Sequence, residues 1–148
     1  MLPFVFLLAC IFCENAMSTD FSIDAVFFNE KKPSLKDDIG MSLAERGDSL
    51  TVLKNDVAAI NSLKNGYSIK IVGSTDNKEC SSSECKKLSL RRAQMIYRWM
   101  LANGVPQDRL LPPEGRGAND PVANNAEPDG RARNRYVEFQ VIPDTPPQ

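Results

Sequence analysis

The chain has 148 residues, a net charge of −1 at pH 7 and no histidine. This length suits one domain, and the near-neutral charge argues against nucleic acid as a partner, because nucleic-acid-binding proteins usually carry a basic excess. Without histidine, Ser-His-Asp and Cys-His catalysis and zinc sites of the HExxH type are excluded. The sequence also pairs no nucleophile with an evident base. We therefore expect a non-enzymatic protein without a cofactor.

The N-terminal segment, residues 1–13, is apolar like the core of a signal peptide, although no Lys or Arg precedes it. It is too short to span a bilayer, which takes about 20 residues in a helix. Residues 16–18 (Ala-Met-Ser) suit an ordinary signal peptidase, whereas residues 7–10 (Leu-Leu-Ala-Cys) approximate a lipobox that would place a lipid on Cys10. The alternatives are a buried N-terminal element and a start site further upstream. We expect residues 1–18 to be a secretory or lipoprotein signal, with membrane contact only through such a lipid.

The first predicted strand covers residues 21–28, where apolar and polar residues roughly alternate before a continuously apolar end. A helix follows, capped by Asp48 or Ser49 and ended by the Asn-Gly pair at residues 65–66. Its apolar residues recur at helical spacing and are expected to pack on a sheet: Leu50, Leu53, Val57, Ile60 and Leu63. Residues 67–72 then form a second predicted strand, which ends at Gly73.

The second half of the chain begins with a helix expected to start at Lys87 or Ser89 and to end at the Asn-Gly pair at residues 103–104. The remaining segments are a short edge strand that could begin at residues 109–111, a long irregular connection over residues 114–133, a last strand over residues 136–142 and a proline-rich tail at residues 143–148. This order predicts an α/β fold, a two-layer sandwich with helices packed on one face of a mixed β-sheet. We expect the domain to cover residues 19–142.

Two cysteines, Cys80 and Cys85, lie in the polar loop between the second strand and the second helix. In an oxidising compartment, an even pair this close in sequence would form a disulfide, and free thiols are the alternative. A Cys-x4-Cys pair is at best half of a zinc site, and no further Cys or His downstream could complete it. We expect a disulfide and no metal.

Charged residues lie on both sides of the loop that contains the two cysteines. Asp76 lies just past the end of a strand, and Arg91 and Arg92 lie in the first turns of a helix, which is where α/β sheets bind ligands. Taken singly, Asp76 is an ordinary turn residue and the arginines are ordinary solvated side chains. Taken together, they form a fork for a ligand with both an amine and a carboxylate, because a carboxylate holds an ammonium and a guanidinium holds a carboxylate through two hydrogen bonds.

Four segments of the chain resemble motifs of the OmpA-like peptidoglycan-binding domain and occur in the same order as in that family. They are Ile-Lys-Ile-Val-Gly-Ser-Thr-Asp at 69–76, Leu-Ser-Leu-Arg-Arg-Ala at 88–93, Gly-Arg-Gly at 115–117 with Pro121, and Gly-Arg-Ala-Arg-Asn-Arg-Tyr-Val-Glu at 130–138. The resemblance extends from about residue 21 to residue 142. It implies non-covalent binding of cell-wall peptidoglycan, through the meso-diaminopimelate of the stem peptide, in the periplasm or at the outer membrane of a Gram-negative bacterium.

The resemblance also implies which residues bind the ligand. In the family, the Asp of the Thr-Asp pair and the Arg before the Ala of the helix motif hold the ammonium and the carboxylate of diaminopimelate. These residues fall on Asp76 and Arg92, so Arg92 is preferred over Arg91, which is expected to be solvated. Thr75 and Arg135 are carried over as further ligand-binding residues. We also expect other envelope proteins as partners of this domain.

Three positions depart from the family pattern: Ser74 replaces a frequent His, Cys85 replaces the Asn before the Leu-Ser pair, and Tyr136 replaces the second Arg of the closing motif. A Cys80–Cys85 bridge would exchange a hydrogen bond of that Asn for a covalent tie. The departures motivate an alternative function, a protein–protein module of a secretion, motility or envelope assembly in which wall binding is weak or lost.

Overall fold

The computed structural model describes residues 22–145. The elements in chain order are β1 (Val26–Phe27), α1 (Ile39–Ser42), α2 (Ser49–Ser62), β2 (Tyr67–Gly73), α3 (Ser82–Ala102), a 3-10 turn (Gln107–Arg109), β3 (Glu114–Gly115), α4 (Pro128–Asn134) and β4 (Tyr136–Pro143). The expected signal at residues 1–18, including Cys10, lies outside the described residues. Within them, no helix has the length and apolar character needed to cross a membrane.

The strands form one mixed sheet in the order β1-β4-β2-β3. The central strand β4 is antiparallel to both β1 and β2, whereas β3 is parallel to β2. Along β2, Ile69 and Ile71 are fully buried, while Ser68 and Lys70, which alternate with them, are only partly buried. This alternation leaves one face of the sheet to the helices. The predicted α/β fold, a mixed sheet with packed helices, is confirmed.

The hydrophobic core lies between this sheet and the two long helices. Leu53 and Ile60 of α2 are fully buried, and the other apolar residues of the predicted stripe pack partly buried against the core. Asp48 caps α2 as predicted, because its carboxylate accepts a hydrogen bond from the N–H of Thr51. From α3, the core receives three fully buried side chains: Ala93, Ile96 and Met100.

Two glycines allow α3 to lie unusually close to the strand ends. A Cβ atom on Gly73 would stand 2.0 Å from the carbonyl oxygen of Ser89, and one on Gly115 would stand 2.4 Å from the backbone nitrogen of Leu90. The Ser89 hydroxyl also accepts a hydrogen bond of 2.8 Å from the N–H of Gly117. These contacts fix the N-terminal half of α3 against the ends of β2 and β3, and this half carries Arg92.

The second long helix begins earlier than predicted, at Ser82 rather than at Lys87 or Ser89. Its N-cap is Ser81 and its first turn contains Glu84, which is the Ser-x-x-Glu spacing typical of a helix start. The first turns are polar and show no apolar periodicity, so the pattern of apolar residues alone placed the start too late. The second cysteine therefore lies in the helix and not in the loop.

The other differences concern short elements. The first strand is limited to Val26–Phe27, and residues 109–111 are not a strand, although Leu110 makes an isolated bridge to Ile69. The edge strand is instead Glu114–Gly115. The connection predicted to be irregular also contains α4, which begins with Pro128 in its first turn. Strands of two residues and a helix of two turns are too short to show a periodic pattern of apolar residues.

Candidate functional site

Asp76 follows the end of β2 and is almost fully buried, with 1% of its surface exposed. Its Oδ1 accepts hydrogen bonds from the N–H groups of Lys78 (2.7 Å) and Glu79 (2.9 Å). Its Oδ2 accepts a hydrogen bond of 2.9 Å from Nη1 of Arg135. Two of the predicted site residues, Asp76 and Arg135, are therefore an ion pair in this structure.

Arg92 projects from α3 toward the same loop and is fully buried. Its Nε donates to the carbonyl of Lys32 (2.8 Å), Nη1 to the carbonyl of Ser74 (2.8 Å), and Nη2 to the carbonyl of Asn29 (3.3 Å). The remaining bonds go to Glu79, where Nη1 meets Oε1 and Nη2 meets Oε2, both at 2.7 Å. All five N–H donors of the guanidinium are thus used within the chain.

Glu79 is the counter-ion of Arg92 and has a fully buried side chain. Its Oε1 also accepts from the N–H of Asp76 (3.2 Å), and its Oε2 accepts from the N–H of Lys31 (2.8 Å). Burial lowers the pKa of the Arg92 guanidinium from its ordinary value, and the hydrogen bonds and charge of Glu79 oppose that shift. Buried charges persist when they are paired and hydrogen-bonded, and both conditions hold here.

Two buried hydroxyl groups directly precede Asp76 in the chain. Ser74 and Thr75 are buried, and neither Ser74 Oγ nor Thr75 Oγ1 has a hydrogen-bond partner among the described residues. The backbone N–H of Thr75 donates to the carbonyl of Gly117 at 2.9 Å, which holds the segment against the glycine-rich stretch after β3. A buried hydroxyl without a partner carries a penalty of about 1–3 kcal/mol, so these two atoms favour a polar group placed beside them.

The predicted pair of cysteines forms a disulfide, with 5.1 Å between the Cα atoms of Cys80 and Cys85. Cys85 lies in α3, and its Sγ is 3.9 Å from the carbonyl oxygen of Asp76. Cys80 directly follows Glu79 in sequence. The bridge therefore ties the segment that carries Glu79 to the helix that carries Arg92.

The structure brings together Asp76, Arg92, Thr75 and Arg135, the four residues expected to bind ligand. Arg91 is separate from them: it is half-buried beside Ser34, Leu35 and Lys36, and its Nε has no partner among the described residues. It is therefore less solvated than the sequence indicated.

Glu79 was missed from the sequence, although one signal pointed to it. Asp76 and Glu79 are three residues apart and exchange side-chain-to-backbone hydrogen bonds in both directions, as the two ends of a capping box do. The bond from Glu79 to Arg92 spans 13 residues of sequence and follows no local pattern. Within residues 22–145, no three Cys, Asp or Glu side chains cluster in a way that could hold a metal ion.

Comparisons with known proteins agree with this architecture. The C-terminal domain of MotB from Helicobacter pylori superimposes with a TM-score of 0.64 at 22% identity, covering 80% of this chain and 84% of that one, which shows a shared fold. The cell wall anchor of the T6SS from Pseudomonas aeruginosa gives a TM-score of 0.54 at 31% identity, covering 66% of this chain and 68% of that one.

Sequence relatives match part of the chain. The peptidoglycan-binding protein ArfA of Mycobacterium bovis is 38% identical over 73 residues, which are 49% of this chain and 22% of ArfA. Among the curated relatives that it matches, this chain spans between 22% and 43% of their length. The OmpA family itself matches residues 27–135, from the first strand to the arginine that pairs with Asp76. The chain therefore belongs to the OmpA family.

Proposed function

We propose that this domain binds cell-wall peptidoglycan non-covalently and tethers the envelope, or an envelope assembly, to the wall. The observation that carries the proposal is the pair of buried opposite charges, Asp76 and Arg92, at the end of β2 and on the facing helix. Membership of the OmpA family supports it, as do the names of two similar proteins, a peptidoglycan-binding protein and a cell wall anchor.

The ligand that fits these charges is the meso-diaminopimelate of a stem peptide, whose side chain ends in both an ammonium and a carboxylate. In this proposal, Asp76 holds the ammonium and Arg92 holds the carboxylate through two hydrogen bonds. Thr75, whose hydroxyl has no partner within residues 22–145, and Arg135, beside Asp76, complete the contacts. Each charge-assisted bond contributes about 1.5–3 kcal/mol, which is consistent with binding in the micromolar-to-millimolar range.

The same proposal includes the place where the domain acts. We propose the periplasm, or the periplasmic face of the outer membrane, of a Gram-negative bacterium, with residues 1–18 as a signal and the domain at residues 19–142. The disulfide between Cys80 and Cys85 suits such an oxidising compartment. An intact mass of the mature protein would separate a cleaved soluble form from a form that is lipidated on Cys10.

Co-sedimentation with purified diaminopimelate-type peptidoglycan tests the proposal. We expect Asp76→Asn and Arg92→Lys to weaken binding by roughly tenfold or more, because each loses a charge or a two-point hydrogen bond to the ligand. Asp108→Asn is the matched control, since Asp108 is an exposed acid away from the site, and it should bind like the wild type. Circular dichroism confirms that each variant is folded, and full binding by both site variants would contradict the assignment.

A second function, a protein–protein module with weak or lost wall binding, is favoured by one observation. Arg92 has no free N–H donor in this structure, so the described form cannot grip a ligand carboxylate without a rearrangement. A folded wild-type domain that fails to sediment with diaminopimelate-type peptidoglycan would favour this function over wall binding.

A further inference from the structure

The carboxylate of Glu79 meets Arg92 in the geometry that a ligand carboxylate would need. Its two oxygens each accept one hydrogen bond of 2.7 Å, one from Nη1 and one from Nη2 of the same guanidinium. The other donors of Arg92 face backbone carbonyls of the surrounding loops. A second carboxylate therefore has no free edge of the guanidinium to bind, and it must replace the first.

Glu79 lies in the loop between β2 and α3. Its neighbours Asn77, Lys78 and Ser81 are exposed, whereas its own side chain is buried and held by hydrogen bonds. Apart from Arg92, those contacts are the N–H groups of Asp76 and Lys31. Cys80, the next residue, is fixed to α3 by the disulfide. The bridge keeps the Glu79 carboxylate close to Arg92 and shortens any excursion from it.

We propose that Glu79 is an internal competitor for the ligand carboxylate at Arg92, that the Cys80–Cys85 disulfide holds it there, and that this competition sets the affinity of the domain. The inference rests on the proposed function, because it assumes that the natural ligand binds Arg92 through a carboxylate. When only a fraction of molecules has a free site, the apparent dissociation constant rises by the inverse of that fraction. Removing the Glu79 carboxylate should therefore increase affinity rather than decrease it.

The first experiment requires no ligand. Phenylglyoxal modifies accessible arginines, and peptide mass spectrometry of the treated, folded protein reports the adduct at Arg92, with the exposed Arg98 as the internal reference. We expect Arg92 to be protected in the wild type and in Glu84→Gln, a control that removes an exposed carboxylate from the same stretch of chain. We expect it to become reactive in Glu79→Ala. If Arg92 stays protected in folded Glu79→Ala, the inference is wrong, whatever the domain binds.

The second experiment measures binding of a synthetic stem tripeptide that ends in meso-diaminopimelate, by isothermal titration calorimetry. We expect Glu79→Ala to bind the tripeptide roughly tenfold tighter than the wild type or more. The reason is that the variant has no Glu79 carboxylate to occupy Arg92, so a larger fraction of its molecules has a free site. The double variant Cys80→Ser/Cys85→Ser should fall between the two, because it loosens Glu79 without removing it. If Glu79→Ala does not fold, the double variant takes its place in the phenylglyoxal experiment. Arg92 must then react more with phenylglyoxal in the double variant than in the wild type, or the inference fails.

The outcomes separate this inference from the proposed function. If the wild type binds the tripeptide and folded Glu79→Ala binds no tighter, wall binding stands and the competition is refuted. If neither protein binds the tripeptide while Arg92 becomes reactive in Glu79→Ala, the wall function fails, and the block that Glu79 places on Arg92 is supported.

Discussion

Two buried acids, Glu79 and Asp56, lie in contrasting surroundings. Glu79 has a fully buried side chain, a two-point ion pair with Arg92 and hydrogen bonds from two backbone N–H groups. Asp56, on α2, is 2% exposed, and its Oδ1 accepts one hydrogen bond of 3.0 Å from the N–H of Asp24. Its Oδ2 has no partner among the described residues. One acid is buried with a cation and the other is not.

The difference shows two ways in which a fold accommodates a buried carboxyl group. At Glu79, a neighbouring cation compensates the charge, so the acid and the guanidinium depend on each other. At Asp56, burial raises the pKa to about 6, and the nearby charge of Asp24 acts in the same direction, so below about pH 6 a proton rather than a cation neutralises the group. The paired acid lies at the proposed ligand site, whereas the unpaired acid lies where the segment before β1 meets α2.

The largest effect is expected when the paired acid loses its charge. Glu79→Gln should lower the free energy of unfolding by about 3 kcal/mol or more, because it leaves the buried Arg92 cation without a counter-ion. Urea unfolding at pH 7.5 measures the change. Glu84→Gln is the control: its ion pair with Lys87 is exposed, so its unfolding midpoint should match that of the wild type. Equal midpoints for the two variants would contradict the pairing at Arg92.

The ion pair between Arg135 and Asp76 should have an intermediate effect. Arg135→Ala should lower the free energy of unfolding by about 2 kcal/mol, because Asp76 loses one charged donor but keeps two backbone N–H donors. The arginine side chain is 14% exposed, so water replaces part of the lost interaction.

The matched control for this variant is Arg46→Ala. Arg46 pairs with Asp129 on the surface, and both side chains are about half exposed or more. Exposed ion pairs contribute little to stability. The urea midpoint of the control should therefore stay at the wild-type value, and a larger loss in the control than in Arg135→Ala would show that burial does not decide the strength of these pairs.

The sequence predicted the elements whose side chains repeat with a regular period. Helix α2 follows from its apolar spacing and its Asp48 cap, and strands β2 and β4 follow from alternation. The charges at Asp76 and Arg92 were also visible, because each stands at a recognisable end of a strand or a helix.

The pairing of those charges could not be predicted in the same way. The Glu79–Arg92 contact depends on the close approach of α3 to the sheet, which the absence of a side chain at Gly73 permits. The other acceptors for Arg92 include backbone carbonyls at Asn29 and Lys32, about 60 residues away in sequence. Backbone groups carry no sequence signal, and long-range contacts follow from tertiary packing rather than from local periodicity.

The smallest expected effect is at Asp56, where the substitution raises the free energy of unfolding instead of lowering it. Its pKa of about 6 in the folded protein lies above the ordinary value of 3.8, so between these values the folded state binds the proton more tightly than the unfolded state. The contribution of Asp56 to the free energy of unfolding therefore falls as the pH rises through this window, and it stays low above it. Asn at this position has no proton to lose.

The pKa difference of about two units predicts that the stability of Asp56→Asn, minus that of the wild type, rises by about 2 kcal/mol from pH 4 to pH 7.5. At pH 7.5 the variant should exceed the wild type by only about 1 kcal/mol, because the amide keeps the acceptor for Asp24 but adds an unpartnered N–H group. Urea unfolding of both proteins from pH 4 to pH 7.5 measures this difference, and taking the difference removes the shared effects of all other acids. Asp108→Asn should give a flat difference, because the Asp108 carboxylate is exposed to water in the folded protein. A flat difference for Asp56→Asn as well would mean that burial does not raise the pKa of Asp56 in the folded protein, and the contrast with Glu79 would then disappear.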